Sequence, residues 1–212
     1  MKKIVCLLLA LMCVFAAVSC NSASSLKKGT LKTISETVNA SVPTKIVTRT
    51  EYVGRDTLTA MYITQIDRAS GKSQFDFEYE RYSKIEEMVP GGIKKISGTV
   101  YYAQDGSVTN SDGESWSADE ALGYLPDGIS IDKSAFKSYE LTDNGNDLKA
   151  YVAAEDSLRV FGSNIDAEGD ILLEVDTNGT YLYSIKITYT AKGTGDVVVV
   201  NTSYDYSLIV LE

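Results

Sequence analysis

The chain has 212 residues, no histidine, three cysteines, and 20 basic against 29 acidic side chains, for a formal charge of -9. Without an imidazole, Ser-His-Asp and Cys-His nucleophile systems, HExxH zinc sites and histidine pH switches are all excluded. The three cysteines, Cys6, Cys13 and Cys20, fall in the first twenty residues, so the rest of the chain has no disulfide, thiolate nucleophile or structural zinc.

Met1-Lys2-Lys3 is a short cationic start, and Ile4 to Val18 is an unbroken apolar run of fifteen residues. That is shorter than the roughly 20 residues a spanning helix needs, so it reads as the hydrophobic part of an export signal. The stretch Ala17-Val18-Ser19-Cys20 resembles the lipobox of bacterial lipoproteins, in which diacylglyceryl is attached to the cysteine thiol before cleavage and the new N-terminus is usually acylated. Ala17 departs from the leucine most common at its position. The alternative is an ordinary signal peptide with Cys20 incidental; the place of Cys20 directly after the apolar run, with no later cysteine to pair with, favours lipidation. Residues 1–19 are thus expected to be a signal peptide, 20–30 a lipidated tether, and 31–212 a single domain, exported and lipid-anchored to the bacterial membrane or envelope. Cleavage after Ser19 removes Lys2 and Lys3 and no acid, so the remaining 193 residues carry a charge of -11. This argues against nucleic-acid binding and against docking on anionic headgroups, and leaves attachment to acyl chains on Cys20.

Along the mature chain, Asn21 to Thr30 is polar and without period. Leu31, Ile34 and Val38 then stand three and four apart, predicting a short amphipathic helix stopped by Pro43. From there the period is two. Strands are predicted over 44–53, 57–67, 74–82, 93–103, 136–141, 148–153, 171–175, 181–190 and 197–208, rich in Val, Ile, Thr, Tyr and Phe. Turn sequences such as Ala69-Ser70-Gly71-Lys72, Asp143-Asn144-Gly145-Asn146 and Thr177-Asn178-Gly179 join neighbours and imply an antiparallel meander. Two further short helices are expected, one started by the capping box Ser117-Ala118-Asp119-Glu120, the other over Glu155 to Phe161 with Leu158 and Phe161 on one face. The fold class is mainly β (α+β): a curved antiparallel meander sheet or open half-barrel with two or three short helices on its concave side.

Alternation assigns faces. Tyr181, Tyr183, Ile185, Ile187 and Tyr189 oppose Leu182, Ser184, Lys186 and Thr188; Val198, Val200, Thr202, Tyr204 and Tyr206 oppose Val199, Asn201, Ser203 and Asp205; Phe75, Phe77 and Tyr79 oppose Asp76, Glu78 and Glu80. The chain has 14 Tyr against 5 Phe and one Trp. A tyrosine ring with a hydroxyl seeking water or a partner suits the mouth of an apolar groove, although strands in general are rich in aromatics and a filled core is the simpler reading of composition alone.

The short helix, the strands, the hairpin Val100-Tyr101-Tyr102-Ala103-Gln104-Asp105-Gly106 leading to Ser111-Asp112-Gly113-Glu114-Ser115-Trp116, the second helix, and the closing run Ile171 to Gly179 into tyrosine-rich strands resemble the LolA-like superfamily. Within it, the tethered mycobacterial lipoproteins of the LppX and LprG type are most similar. The resemblance covers most of residues 31–212 and implies an open half-barrel that binds lipids or lipoprotein acyl chains. It transfers no residue-level binding motif. The expectation is a non-enzymatic, monomeric lipoprotein, without cofactor, holding a lipid or other amphiphile against Phe75, Phe77, Tyr79, Tyr181, Tyr183, Ile185, Ile187, Tyr189, Val198, Val200, Tyr204 and Tyr206. The alternative is an envelope-tethered structural or protein-interaction module with no ligand cavity.

The acidic loops Asp143 to Asp147 and Asp166 to Asp170 space oxygens two and four apart but lack the EF-hand order, and hairpin turns account for both. Carboxylate catalysis needs a facing pair in a cleft with one raised pKa, and no pair stands out in the sequence. Gly91-Gly92 is no phosphate loop.

Overall fold

The computed structural model describes residues 29–53, 56–83, 93–102, 107–110 and 129–211. In chain order these form helix α1 (Leu31–Ala40), strands β1 (Lys45–Val53), β2 (Asp56–Ile66), β3 (Ser73–Ser83), β4 (Ile93–Tyr102), β5 (Val108–Asn110), β6 (Phe136–Thr142) and β7 (Asp147–Val152), helix α2 (Ser157–Phe161), and strands β8 (Ile171–Thr177), β9 (Leu182–Thr190) and β10 (Val197–Asp205). The fold is mainly β, an open antiparallel sheet with short helices, as the alternation predicts. The three-residue β5 is an addition to the expected strands, too short to show a period. The expected signal peptide, the expected tether up to Lys28, the Gly91-Gly92 loop and the helix expected at Ser117 lie outside the described residues. No described helix is long and apolar enough to cross a membrane.

The ten strands make one sheet in the order β5-β4-β3-β2-β1-β10-β9-β8-β7-β6. Each hairpin neighbour is the one that the turns imply. The two runs of hairpins are joined in the middle, where β1 lies antiparallel to β10 in unbroken register from Lys45↔Asp205 to Val53↔Val197. The first and last strands are therefore central.

The main core lies on one face of the C-terminal half. There Leu148, Ala150 and Val152 of β7 pair with Val175, Leu173 and Ile171 of β8, all almost fully buried. Helix α1 covers them with Ile34, and Leu31 and Val38 pack beside it, using the three-and-four spacing seen in the sequence. Thr30 caps this helix, its hydroxyl accepting from the Thr33 amide at 3.2 Å. Helix α2 buries Ser157, Val160 and Phe161 and ends at Gly162 in the left-handed region. Leu158, expected on the buried face, is 53% exposed; Val160 takes that place.

The chain enters α1 through a close approach. The Gly29 amide donates to the Asn144 carbonyl at 2.7 Å, and a Cβ on Gly145 would overlap the Gly29 carbonyl oxygen. Gly145 also has φ +88, so two constraints select glycine there.

Candidate functional site

Register builds the inner, helix-bearing face across the centre of the sheet. Val198 lies between Tyr52 and Tyr189, Val200 between Thr50 and Ile187, and Thr202 between Thr48 and Ile185. Val198, Ile185, Thr48 and Thr202 are buried, and the two threonine hydroxyls bond each other at 3.1 Å. Ile187, Tyr189 and Tyr204 abut the core cluster yet are only partly buried; so are Val200 and, on β1, Ile46, Thr50 and Tyr52. The result is a half-buried apolar strip over β9, β10 and β1 with phenol groups in it. Burial pushes the Tyr189 hydroxyl up to about 12, helped by the neighbouring Tyr52, which it meets by a hydrogen bond. Burial likewise takes Tyr204 to about 12, with Tyr206 beside it.

Six of the twelve expected lining residues come together in this strip: Ile185, Ile187, Tyr189, Val198, Val200 and Tyr204. The contribution of β1 is missing from the expected lining, although Ile46, Thr48, Thr50 and Tyr52 alternate with Val47, Arg49, Glu51 and Val53, whose two charges mark the outer face. Phe75 is on the same sheet but wholly buried, stacked on Tyr62 with centroids 5.9 Å apart. Phe77 and Tyr79 take register positions opposite Tyr62 and Ala60; their side chains lie outside the described residues.

The face assigned to Tyr181, Tyr183 and Tyr206 is corrected. A bulge shifts the β8-β9 register between Asp176↔Ser184 and Thr177↔Leu182. Leu182 and Ile185, three apart, are therefore both buried, while Tyr181 and Tyr183 are 47% and 44% exposed. The Tyr183 hydroxyl accepts from the Asn178 side chain at 2.6 Å. Tyr206 lies past the end of β10 and acts as a clasp: its hydroxyl donates to the Leu182 carbonyl at 2.9 Å and accepts from the Leu182 amide at 3.2 Å. Its ring packs on Tyr181 at 4.8 Å between centroids.

The opposite face is charged. Glu140, Lys149, Glu174, Lys186, Asn201 and Arg49 fall in one cross-strand row from β6 to β1. Lys186 pairs with Glu174 at 3.1 Å and Lys149 with Glu140 at 3.9 Å. Such exposed pairs contribute about 0–1 kcal/mol each. Lys149, Glu174, Lys186 and Asn201 of this row line a shallow groove of about 460 Å³ together with Thr142, Asp147, Asp176 and Ser184. None of the expected lining residues borders it.

At one end of the groove Asp176 is held above its ordinary 3.8, first by partial burial, then by the charge of Asp147, with which it shares a hydrogen bond, and by Asp143. This facing pair arises from register across β7 and β8 and is invisible in the linear sequence. Asp176 is exposed, so the pair lacks the water-excluding wall that keeps an acid protonated at neutral pH in carboxylate enzymes. A raised folded pKa means that ionised Asp176 opposes folding above that pKa, and that the penalty vanishes as pH falls below 3.8. Asp176→Asn is therefore expected to raise stability at pH 7 by about 0.5 kcal/mol or less, given solvent screening, and to give no gain near pH 3. Urea midpoints at the two pH values measure this.

The loops with calcium-like spacing are turns. Asp143 and Asn144 adopt positive φ in the β6-β7 connection, and the 166–170 loop is tied back by Glu168 N–H to the Thr190 carbonyl at 2.7 Å and Lys192 N–H to the Asp166 carbonyl at 2.9 Å.

No family model matches the chain, and no curated protein matches it.

Proposed function

We propose that this chain is an exported lipoprotein, held at the membrane by acyl chains on Cys20, whose domain binds a lipid or other amphiphile on the inner strip without acting on it chemically. The observation that carries the reading is the half-burial of Ile187, Tyr189, Val200 and Tyr204, in the middle of a sheet whose neighbouring rows are sealed under α1 and α2. An acyl chain laid across this strip removes apolar surface from water at about 25 cal/mol per Å². The Tyr204 hydroxyl, which has no hydrogen bond to the described residues, supplies a donor to an ester or headgroup oxygen, beside the hydrogen-bonded Tyr189 and Tyr52 hydroxyls.

The test is native mass spectrometry of the exported chain, followed by organic extraction. Near-stoichiometric lipid is expected. Val200→Trp fills the strip without adding charge and is expected to lower the co-purified lipid at least tenfold, equivalent to about 1.4 kcal/mol of affinity, while far-UV circular dichroism stays unchanged. Ile185 is unsuited to this test, since it is 5% exposed and a charge there unfolds the core. A clean apo mass, with no thermal shift from added fatty acids or phospholipids, would overturn the binding reading in favour of an interaction module.

A further inference from the structure

After β10 the chain does not leave the sheet but crosses its end. Tyr206 is clasped to Leu182, the Thr44 hydroxyl donates to the Ser207 carbonyl at 2.6 Å, and the Leu211 amide reaches the Asp67 carboxylate at 3.4 Å. Along this extended path Ile209 and Leu211 are partly buried, whereas Leu208 and Val210 are 86% and 74% exposed. Val42, two residues before Thr44, is 60% exposed, and Tyr181, packed on Tyr206, is 47% exposed. These four side chains form an apolar rim at one end of the sheet.

The tether leaves from the same end. Gly29 is hydrogen-bonded to the β6-β7 turn, and Gly179 of the adjoining β8-β9 turn, two residues from Tyr181, lies against Asn146 of that turn. Helix α1, the ten residues Leu31–Ala40 between Gly29 and Val42, then spans about 15 Å. Nine peptide steps separate Cys20 from Gly29, a reach of about 30 Å when fully stretched. Strand β1 has nine residues and carries its far end about 27 Å away. A chain anchored at Cys20 thus presents its far end to the bilayer only with the leash almost wholly extended, and its near end with the leash slack.

We propose that the rim of Val42, Tyr181, Leu208 and Val210 rests in the bilayer interface, with the sheet standing on the membrane by this end. The proposal rests on the Cys20 anchoring described above. It requires no basic patch: the contact is apolar, with Tyr181 at the depth where amphipathic rings settle, and it is compatible with a charge of -11 on the mature chain. The other large exposed aliphatic pair among the described residues, Val53 and Val197, 51% and 42% exposed and paired across β1 and β10, marks the distal end and serves as the internal control.

The exported chain is placed on phosphatidylcholine vesicles and footprinted with hydroxyl radicals. Intact mass first reports whether Cys20 is acylated; if it is not, the anchoring reading fails by itself, and the free thiol is coupled to a maleimide phospholipid so that docking is still measured. Oxidation of Leu208, Val210 and Val42 is expected to fall about threefold or more on the vesicle, as for side chains entering the interface, while Val53 and Val197 stay unchanged. Leu208→Asp with Val210→Asp, both at exposed positions that leave the fold intact, is expected to restore oxidation of Val42 to its value in solution. Equal oxidation of the rim with and without vesicles, or protection at Val53 and Val197 instead, would overturn the proposal.

Discussion

Gly145→Ala is expected to destabilise the protein by about 3 kcal/mol and lower its melting temperature by roughly 10 °C. Two costs combine. A side chain at φ +88 is strained, and its Cβ would overlap the Gly29 carbonyl oxygen, so either the β6-β7 turn or the start of α1 must move. The other glycines separate the two causes. Gly193 has φ +85 and open space within 4 Å of where a Cβ would stand, so Gly193→Ala is expected to cost only about 1 kcal/mol. Gly29 has the contact, its Cβ position overlapping the Gly145 carbonyl oxygen, without the positive φ, so Gly29→Ala reports the contact alone. Urea denaturation followed by far-UV circular dichroism measures all three. Equal losses for Gly145→Ala and Gly193→Ala would show that the close approach contributes nothing.

Tyr206→Phe is expected to cost about 1–3 kcal/mol. The hydroxyl satisfies both backbone groups of Leu182, a residue 2% exposed, where the bulge leaves β9 out of step. Phenylalanine keeps the ring on Tyr181 but leaves a buried amide and carbonyl without that partner. Tyr204→Phe is the contrast: its hydroxyl has no hydrogen bond to the described residues, and its loss is expected to change stability by less than about 0.5 kcal/mol. If the two variants are equally stable, the clasp carries no weight. Melting temperature and urea midpoint both read the difference.

These two tyrosines mark the limit of what the sequence discloses about the strip. Strict alternation puts Tyr204 and Tyr206 on one face, which is right for Tyr204 and misleading for Tyr206, because β10 ends at Asp205. The same alternation places Tyr181 and Tyr183 with Ile185; a single inserted residue in β9 reverses the phase and buries Leu182 instead. Nothing local to Tyr181-Leu182-Tyr183 announces a bulge, since its cause is the pairing of β8 with β9. Strand positions, by contrast, were legible because Val, Ile, Thr and Tyr alternate over long runs, and α1 was legible because Leu31, Ile34 and Val38 keep one helical face. The partnership of β1 with β10, and with it the role of Tyr52, and the meeting of Asp147 with Asp176, are long-range facts. They belong to register rather than to any window of sequence.

The central seam between β1 and β10 also bears on how the domain comes into being. Each set of hairpins is built from near neighbours and can form promptly, but Thr48 and Thr202, which meet at the seam, are 154 residues apart along the chain. Until the last strand has been delivered, β1 and β9 each expose an unsatisfied backbone edge, the kind that invites pairing with other chains. The two halves must then find each other across a long loop, a slow step for a sheet dominated by distant contacts. A protein made this way has its period of greatest vulnerability to aggregation and proteolysis at the close of synthesis, and any truncation that removes β10 leaves two half-sheets rather than a shorter version of one.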